Sequence, residues 1–154
     1  MVERKKYTEK EFHRKSAVDC FNLVWTLMDK KDRTKEENDK MVHAAHASRF
    51  HWGEIGTPLE LERGEWQISR VYTVVKRPES ALYHAMRCLE ICTENNIADW
   101  DIAFAYEAMA RAHEVAGRKT ECKKYIELAN KAGEQIKTKA DKGYLFSELR
   151  TIKC

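Results

Sequence analysis

With 154 residues, 43% of them apolar and 34% charged, the chain has length for one domain with a modest core beneath a strongly solvated surface. Its 28 lysines and arginines against 25 aspartates and glutamates leave a net charge of +3, with signs interleaved as in Asp29-Lys30-Lys31-Asp32-Arg33, which disfavours nucleic acid as a partner. A mean hydropathy of −0.69 without a long apolar run excludes a membrane span, and 6 glycines with 2 prolines are too few turn-formers for an all-β sandwich or barrel.

Helix signals recur in chain order. Thr8 with Glu11 has the spacing of a capping box, and the helix it opens carries Ala17, Cys20, Phe21, Val24 and Met28 on one stripe. Thr34 with Glu37 repeats the signal before Met41, Ala45, Ser48, Trp52 and Ile55, and Gly56 is expected to end that helix in the left-handed conformation. Thr57-Pro58-Leu59-Glu60 combines a cap, a proline at the first helical position and a glutamate reaching back. The third helix then bears Leu61, Ile68, Val71, Tyr72 and Val75. Pro78 opens a fourth, with Ala81, Leu82, Ala85, Cys88, Leu89 and Cys92 inward, and Asn95-Asn96 ends it. Asp99 is expected to cap a fifth helix with Ile102, Tyr106, Met109 and His113, stopped at Gly117. A sixth carries Cys122, Tyr125, Ile126, Ala129 and Ile136, and Asp141 is expected to cap a short seventh with Leu145, Leu149 and Ile152. No segment alternates long enough to be a strand. The pattern predicts an all-α fold of about seven helices joined as antiparallel hairpins, in one unit over residues 1–154.

The stretch Met1-Val2-Glu3-Arg4-Lys5-Lys6 has basic residues with no apolar run behind it, so no secretory leader is expected. The 5 cysteines are odd in number and include no Cys-x-x-Cys, so no disulfide framework is expected and a reducing cytoplasm is the predicted compartment. Cys88 and Cys92, four apart, share a helix face; they read as half a metal site or as small buried hydrophobes at a close helix contact. His43 and His46 lie three apart in the unusual run His43–Trp52 and are the other candidates for metal, with His84 or a glutamate as a third ligand. The His-Glu-x-x-His pattern of metalloproteases is absent, as are a nucleophile elbow, a phosphate-cradling glycine loop and a dinucleotide fingerprint.

Two stretches resemble the tetratricopeptide repeat, a helix–turn–helix unit of 34 residues. In the later one Tyr106, Met109, Ala110 and His113 fall at first-helix positions, Gly117 at the turn, and Cys122, Ile126 and Ala129 at second-helix positions. In the earlier one Ile68, Ser69 and Tyr72 match the first helix, and Ala81, Ala85 and Cys88 the second. The equivalent positions Ala81 and Cys122 stand further apart than one repeat, and the earlier unit has Lys76-Arg77 where the turn glycine belongs.

The resemblance implies a right-handed superhelix whose concave groove is lined by first-helix residues off the packing stripe. By position these are Arg63, Trp66, Arg70 and Thr73, then Phe104, Glu107, Arg111 and Glu114. It further implies a protein- or peptide-binding adaptor with no cofactor and no chemistry of its own, its groove cations suiting an acidic peptide segment or a terminal carboxylate. The competing reading is a metal-binding protein or metal-dependent enzyme centred on His43 and His46, and self-association is left open. If the repeat register holds, Ala110 sits at a close helix contact. Ala110→Trp is then expected to lower stability by about 1–3 kcal/mol or more through overpacking. Thermal unfolding checks it, and an unchanged midpoint would place Ala110 on the solvent face.

Overall fold

A helix begins where its first orphan N–H groups find an oxygen or where proline removes one of them. A computed structural model describes residues 4–154, so Met1, Val2 and Glu3 of the stretch read for a leader lie outside the described residues. The helices are α1 (Glu9–Met28), α2 (Lys35–Ile55), α3 (Pro58–Val74), α4 (Pro78–Glu94), α5 (Trp100–Val115), α6 (Lys119–Glu134) and α7 (Lys139–Leu149). Thr8 and Thr34 accept the backbone N–H groups of Glu11 and Glu37, each at 3.1 Å. The Glu60 carboxylate accepts the Thr57 N–H at 2.9 Å ahead of Pro58.

Several boundaries differ from the sequence expectation. Gly56 follows α2 in an extended conformation, φ −89°, not a left-handed one. Asp99 stands at the N-cap position of α5 as expected but makes no side-chain capping bond; its carboxylate accepts the Lys137 N–H at 2.9 Å and so ties the α4–α5 connection to the α6–α7 one. The cap of α7 is Thr138, and Asp141 is its partner inside the first turn, with a 2.6 Å hydroxyl contact. Ile136 and Ile152 lie beyond the ends of α6 and α7, yet both are buried as expected.

Consecutive helices pack as hairpins, α1 with α2, α3 with α4 and α5 with α6, while α7 lies against α5 and α6. The first helices of the last two hairpins, α3 and α5, are neighbours, so α3, α5 and α7 form one layer. The small residues do what their spacing predicts: Ala81, Ala85, Cys88, Ala110, Cys122 and Ala129 are all 0% exposed. Hydroxyls fasten two of the hairpins at the same depth, Ser48 donating to the Ala17 carbonyl at 2.8 Å and Ser69 to the Ala81 carbonyl at 2.9 Å. Gly133 brings α6 close to α7, where an added Cβ would meet Leu145 Cδ2 at 2.6 Å. No helix among the described residues is long and apolar enough to cross a membrane.

Against the expectation of no disulfide framework, one pair of cysteines is linked. Cys122 on α6 and Cys154 form a disulfide, their Cα atoms 5.8 Å apart, while Cys20, Cys88 and Cys92 are free. The pairing depends on the chain after α7 turning back over α6, a return held in place by Glu114 accepting the Lys153 N–H. Such a bond belongs to oxidising compartments more than to a reducing one.

Three helices end in the same left-handed turn, at Lys76 (φ 60°), Asn96 (φ 52°) and Gly117 (φ 74°). In each, the next residue's N–H reaches back to a helix carbonyl: Arg77 to Tyr72 at 2.8 Å, Ile97 to Cys92 at 2.9 Å and Arg118 to His113 at 2.9 Å. Lys76 therefore occupies the turn position that Gly117 fills in the later unit, at a cost in Cβ crowding that glycine does not bear. Lys76→Gly is expected to stabilise the fold by roughly 0.5–1 kcal/mol. Chemical denaturation at constant slope checks this, and a loss of stability would show that the lysine side chain contributes more than its backbone costs.

Candidate functional site

Aromatic residues from four helices converge on one face. Trp25 of α1 meets Trp66 of α3 at a centroid distance of 5.8 Å, and Trp66 meets Phe104 of α5 edge-on at 5.9 Å. Phe104 in turn touches Trp100 at 5.9 Å and Tyr144 of α7 at 5.5 Å. Edge-on and offset pairs of this kind are the preferred arrangements of aromatic quadrupoles, so the wall is self-supporting. Together with Phe21 these rings enclose a cavity of about 310 Å³, with Glu62, Arg63, Asp101 and Asp141 at its margins.

The residues placed in a groove by the repeat register do assemble, but chiefly around one another. Glu107, 1% exposed, accepts the Trp66 indole N–H at 3.2 Å, the Arg70 guanidinium at 3.3 Å and the Arg111 Nε–H at 2.7 Å. Glu148 of α7 binds Arg70 at 2.9 Å, and its backbone carbonyl accepts from Arg111 at 3.2 Å. Arg63 lies apart from that hub. It grips Asp101 with two N–H donors at 2.9 and 3.1 Å and stacks over Trp100 at 4.4 Å. Thr73 is buried against its own helix, donating to the Arg70 carbonyl at 2.6 Å, and Phe104 lines the cavity. Each expected groove cation is thus paired within the fold, Arg63 with Asp101 and Arg70 and Arg111 with the shared carboxylates Glu107 and Glu148.

The histidine candidates are placed differently. His43 is exposed at the side of α2, and His46 bonds the Tyr72 hydroxyl at 2.8 Å. Burial, with a smaller contribution from nearby His84, lowers the His46 pKa and favours the neutral ring. His84 sits at 2.6 Å from Glu65, which also accepts from Arg49 at 3.1 Å. Burial opposes the charge on Glu65, but His84 and then Arg49 prevail and hold its carboxyl below the ordinary range. The contacts Arg49–Glu65–His84 join α2, α3 and α4. Among the described residues, the group of His, Cys, Asp and Glu side chains whose ligand atoms all fall within 4.8 Å is Glu62, Cys88 and Cys92, and neither His43 nor His46 belongs to it.

Sequence reasoning missed Trp25, Trp100, Tyr144, Glu62, Asp101 and Glu148. One signal for two of them was present: Tyr144 and Glu148 are four apart on α7, the same spacing that places Trp66 with Arg70 and Glu107 with Arg111 on one helix face. Reading α7 as another first helix would have found them. Comparison with models of known protein families and with curated proteins finds no match to this chain.

Removing one member of a buried, hydrogen-bonded charge cluster leaves its partners uncompensated. Glu107→Ala is expected to cost about 3–5 kcal/mol, the range for breaking such a pair. The Trp66 emission spectrum should change with it, because the indole loses its acceptor. Urea denaturation followed by tryptophan fluorescence measures both, and a loss below about 1 kcal/mol would show that Glu148 alone satisfies the two arginines.

Proposed function

We propose that the chain is a tetratricopeptide-like adaptor that binds a peptide segment along the face formed by α1, α3, α5 and α7. The aromatic cavity carries this reading. Its volume suits one large apolar side chain, its walls are mostly ring surface, and pockets that bind small groups have this composition. Tyr144, 55% exposed at the mouth, gives an entering segment an amphipathic ring to lie against.

The anchor of such a segment is an aromatic or long aliphatic side chain, not the acidic group that the cation count alone suggested. Arg63, Arg70 and Arg111 already hold Asp101, Glu107 and Glu148, so a peptide carboxylate would compete with carboxylates supplied by the fold. Their part is to fix Trp66 and Trp100, and through them the shape of the pocket. Charge then contributes at the rim, where it steers association more than it sets affinity.

A displayed peptide library is the direct test, with binding read by intrinsic fluorescence, since Trp25, Trp66 and Trp100 of the 4 tryptophans line the cavity. Selected peptides are expected to share one bulky apolar residue. Tyr144→Ala and Trp25→Ala are each expected to weaken them at least tenfold, about 1.4 kcal/mol. Peptides united by acidic residues, bound equally by both variants and strongly weakened by salt, would return the site to the arginines.

A further inference from the structure

Behind the aromatic cavity, α3 and α4 bring together a second set of groups that peptide binding does not use. Cys88 and Cys92 are buried on one face of α4, and Glu62 reaches them from α3. The Cys88 thiol donates to Glu62 Oε2 at 3.3 Å. All three ligand atoms lie within 4.8 Å of one another. Glu62 is 2% exposed, and its other oxygen, Oε1, has no hydrogen-bond partner. The closest cation, Arg63 Nε, stands 3.8 Å from it and is committed to Asp101. An orphaned carboxyl oxygen at this depth is costly unless something else binds it.

We propose that Cys88, Cys92 and Glu62 form a binding site for a thiophilic divalent cation, zinc foremost, with a fourth coordination position open towards the aromatic cavity. Two sulfurs and one carboxylate oxygen are a donor set suited to zinc. A tetrahedral zinc with bonds of about 2.0–2.3 Å needs donors separated by roughly 3.4–3.8 Å, close to the Cys88–Glu62 separation. The i,i+4 pair on α4 supplies two donors from one rigid element, and α3 supplies the third from its hairpin partner.

The surroundings complete the case. Asp101 stays with Arg63 in a two-point ion pair and serves as a neighbour rather than a ligand, so the site keeps three protein donors. Glu62 lines the cavity and gives the ion both an entry path and an exchangeable position. Three protein ligands with one open place is the arrangement of zinc sites that exchange a water or a substrate oxygen. On binding, each thiol that ligates and the Glu62 carboxyl, which burial and then the nearby Asp101 keep protonated, release their protons to solvent, so uptake is accompanied by acidification and strengthens with pH.

The test uses the full chain with its disulfide intact, stripped with a chelator and titrated with cobalt(II) and then zinc chloride. One equivalent of cobalt is expected to give thiolate charge-transfer absorption that one equivalent of zinc removes. Glu62→Gln and Cys92→Ser are each expected to weaken uptake at least tenfold, while Cys20→Ser leaves it unchanged. X-ray absorption at the zinc edge of the unmutated protein is expected to show two sulfur neighbours, a measurement that does not depend on any variant folding. Absence of uptake at micromolar metal, a sulfur count other than two, or uptake that survives Cys92→Ser and disappears with Cys122→Ser would each overturn the site. Failure of this site is distinguishable from failure of the peptide reading, which is tested with a peptide ligand and with Tyr144→Ala and Trp25→Ala.

Discussion

The packing of the later helices turns on a single carboxylate that has almost no contact with water. Glu107 sits in the middle of α5, where a charge stripped of solvent requires donors on every side. Two guanidinium groups and an indole N–H supply them, one arginine and the indole from α3 and the other arginine from α5 itself. Glu148 closes the arrangement from α7. Three helices are thereby fixed in relative position by directional bonds, where apolar packing alone would tolerate sliding. The position of Trp66 follows from that constraint, and the wall of the cavity follows from Trp66.

This division of labour separates polarity from recognition. Charged residues that stand at groove positions act inward, pairing with Asp101, Glu107 and Glu148, and their neutralisation leaves the cavity lined by ring faces. A pocket of that kind discriminates by size and shape, and bulky side chains gain most from it. The same cavity meets Glu62, so one of the polar groups at its margin is a carboxyl that also accepts from the Cys88 thiol.

What the sequence made legible were features that depend on local spacing. Threonine–glutamate caps, the prolines that open α3 and α4, and small residues such as Ala81, Ala110 and Ala129 report on a helix and its nearest neighbour, and each stands where its spacing puts it. The polar interior of α3 was not legible. Glu62, Glu65 and Gln67 look like a solvated face, because their burial depends on Cys88, His84, Arg49 and the Phe21 carbonyl, partners 26, 19, 16 and 46 residues away. Trp25 and Tyr144 escaped notice for a related reason. They complete the site from the helices that matched the repeat least, so a register anchored on the two best units stopped short of both. The disulfide failed for want of any local sign, since the cysteines alone do not say which pair the return after α7 will bring together.

That covalent link also makes the two ends of the stack unequal. In arrays where each element touches only its neighbours, opening begins at the least secured end and travels inward. The last helix cannot peel away, because the residues following it are bonded to α6 across a closed loop. The α1–α2 hairpin has no such tether; it is attached through α2 on α3, the Arg49–Glu65 pair, Gln67 on the Phe21 carbonyl, and the contact of Trp25 with Trp66. Fraying therefore starts at α1 and α2 and removes Phe21 and Trp25 from the cavity before α5, α6 and α7 loosen. The pocket accordingly takes Phe21 and Trp25 from the most labile hairpin and the rest of its lining from α3, α5 and α7, and a ligand that bridges the two parts ties the loose end down.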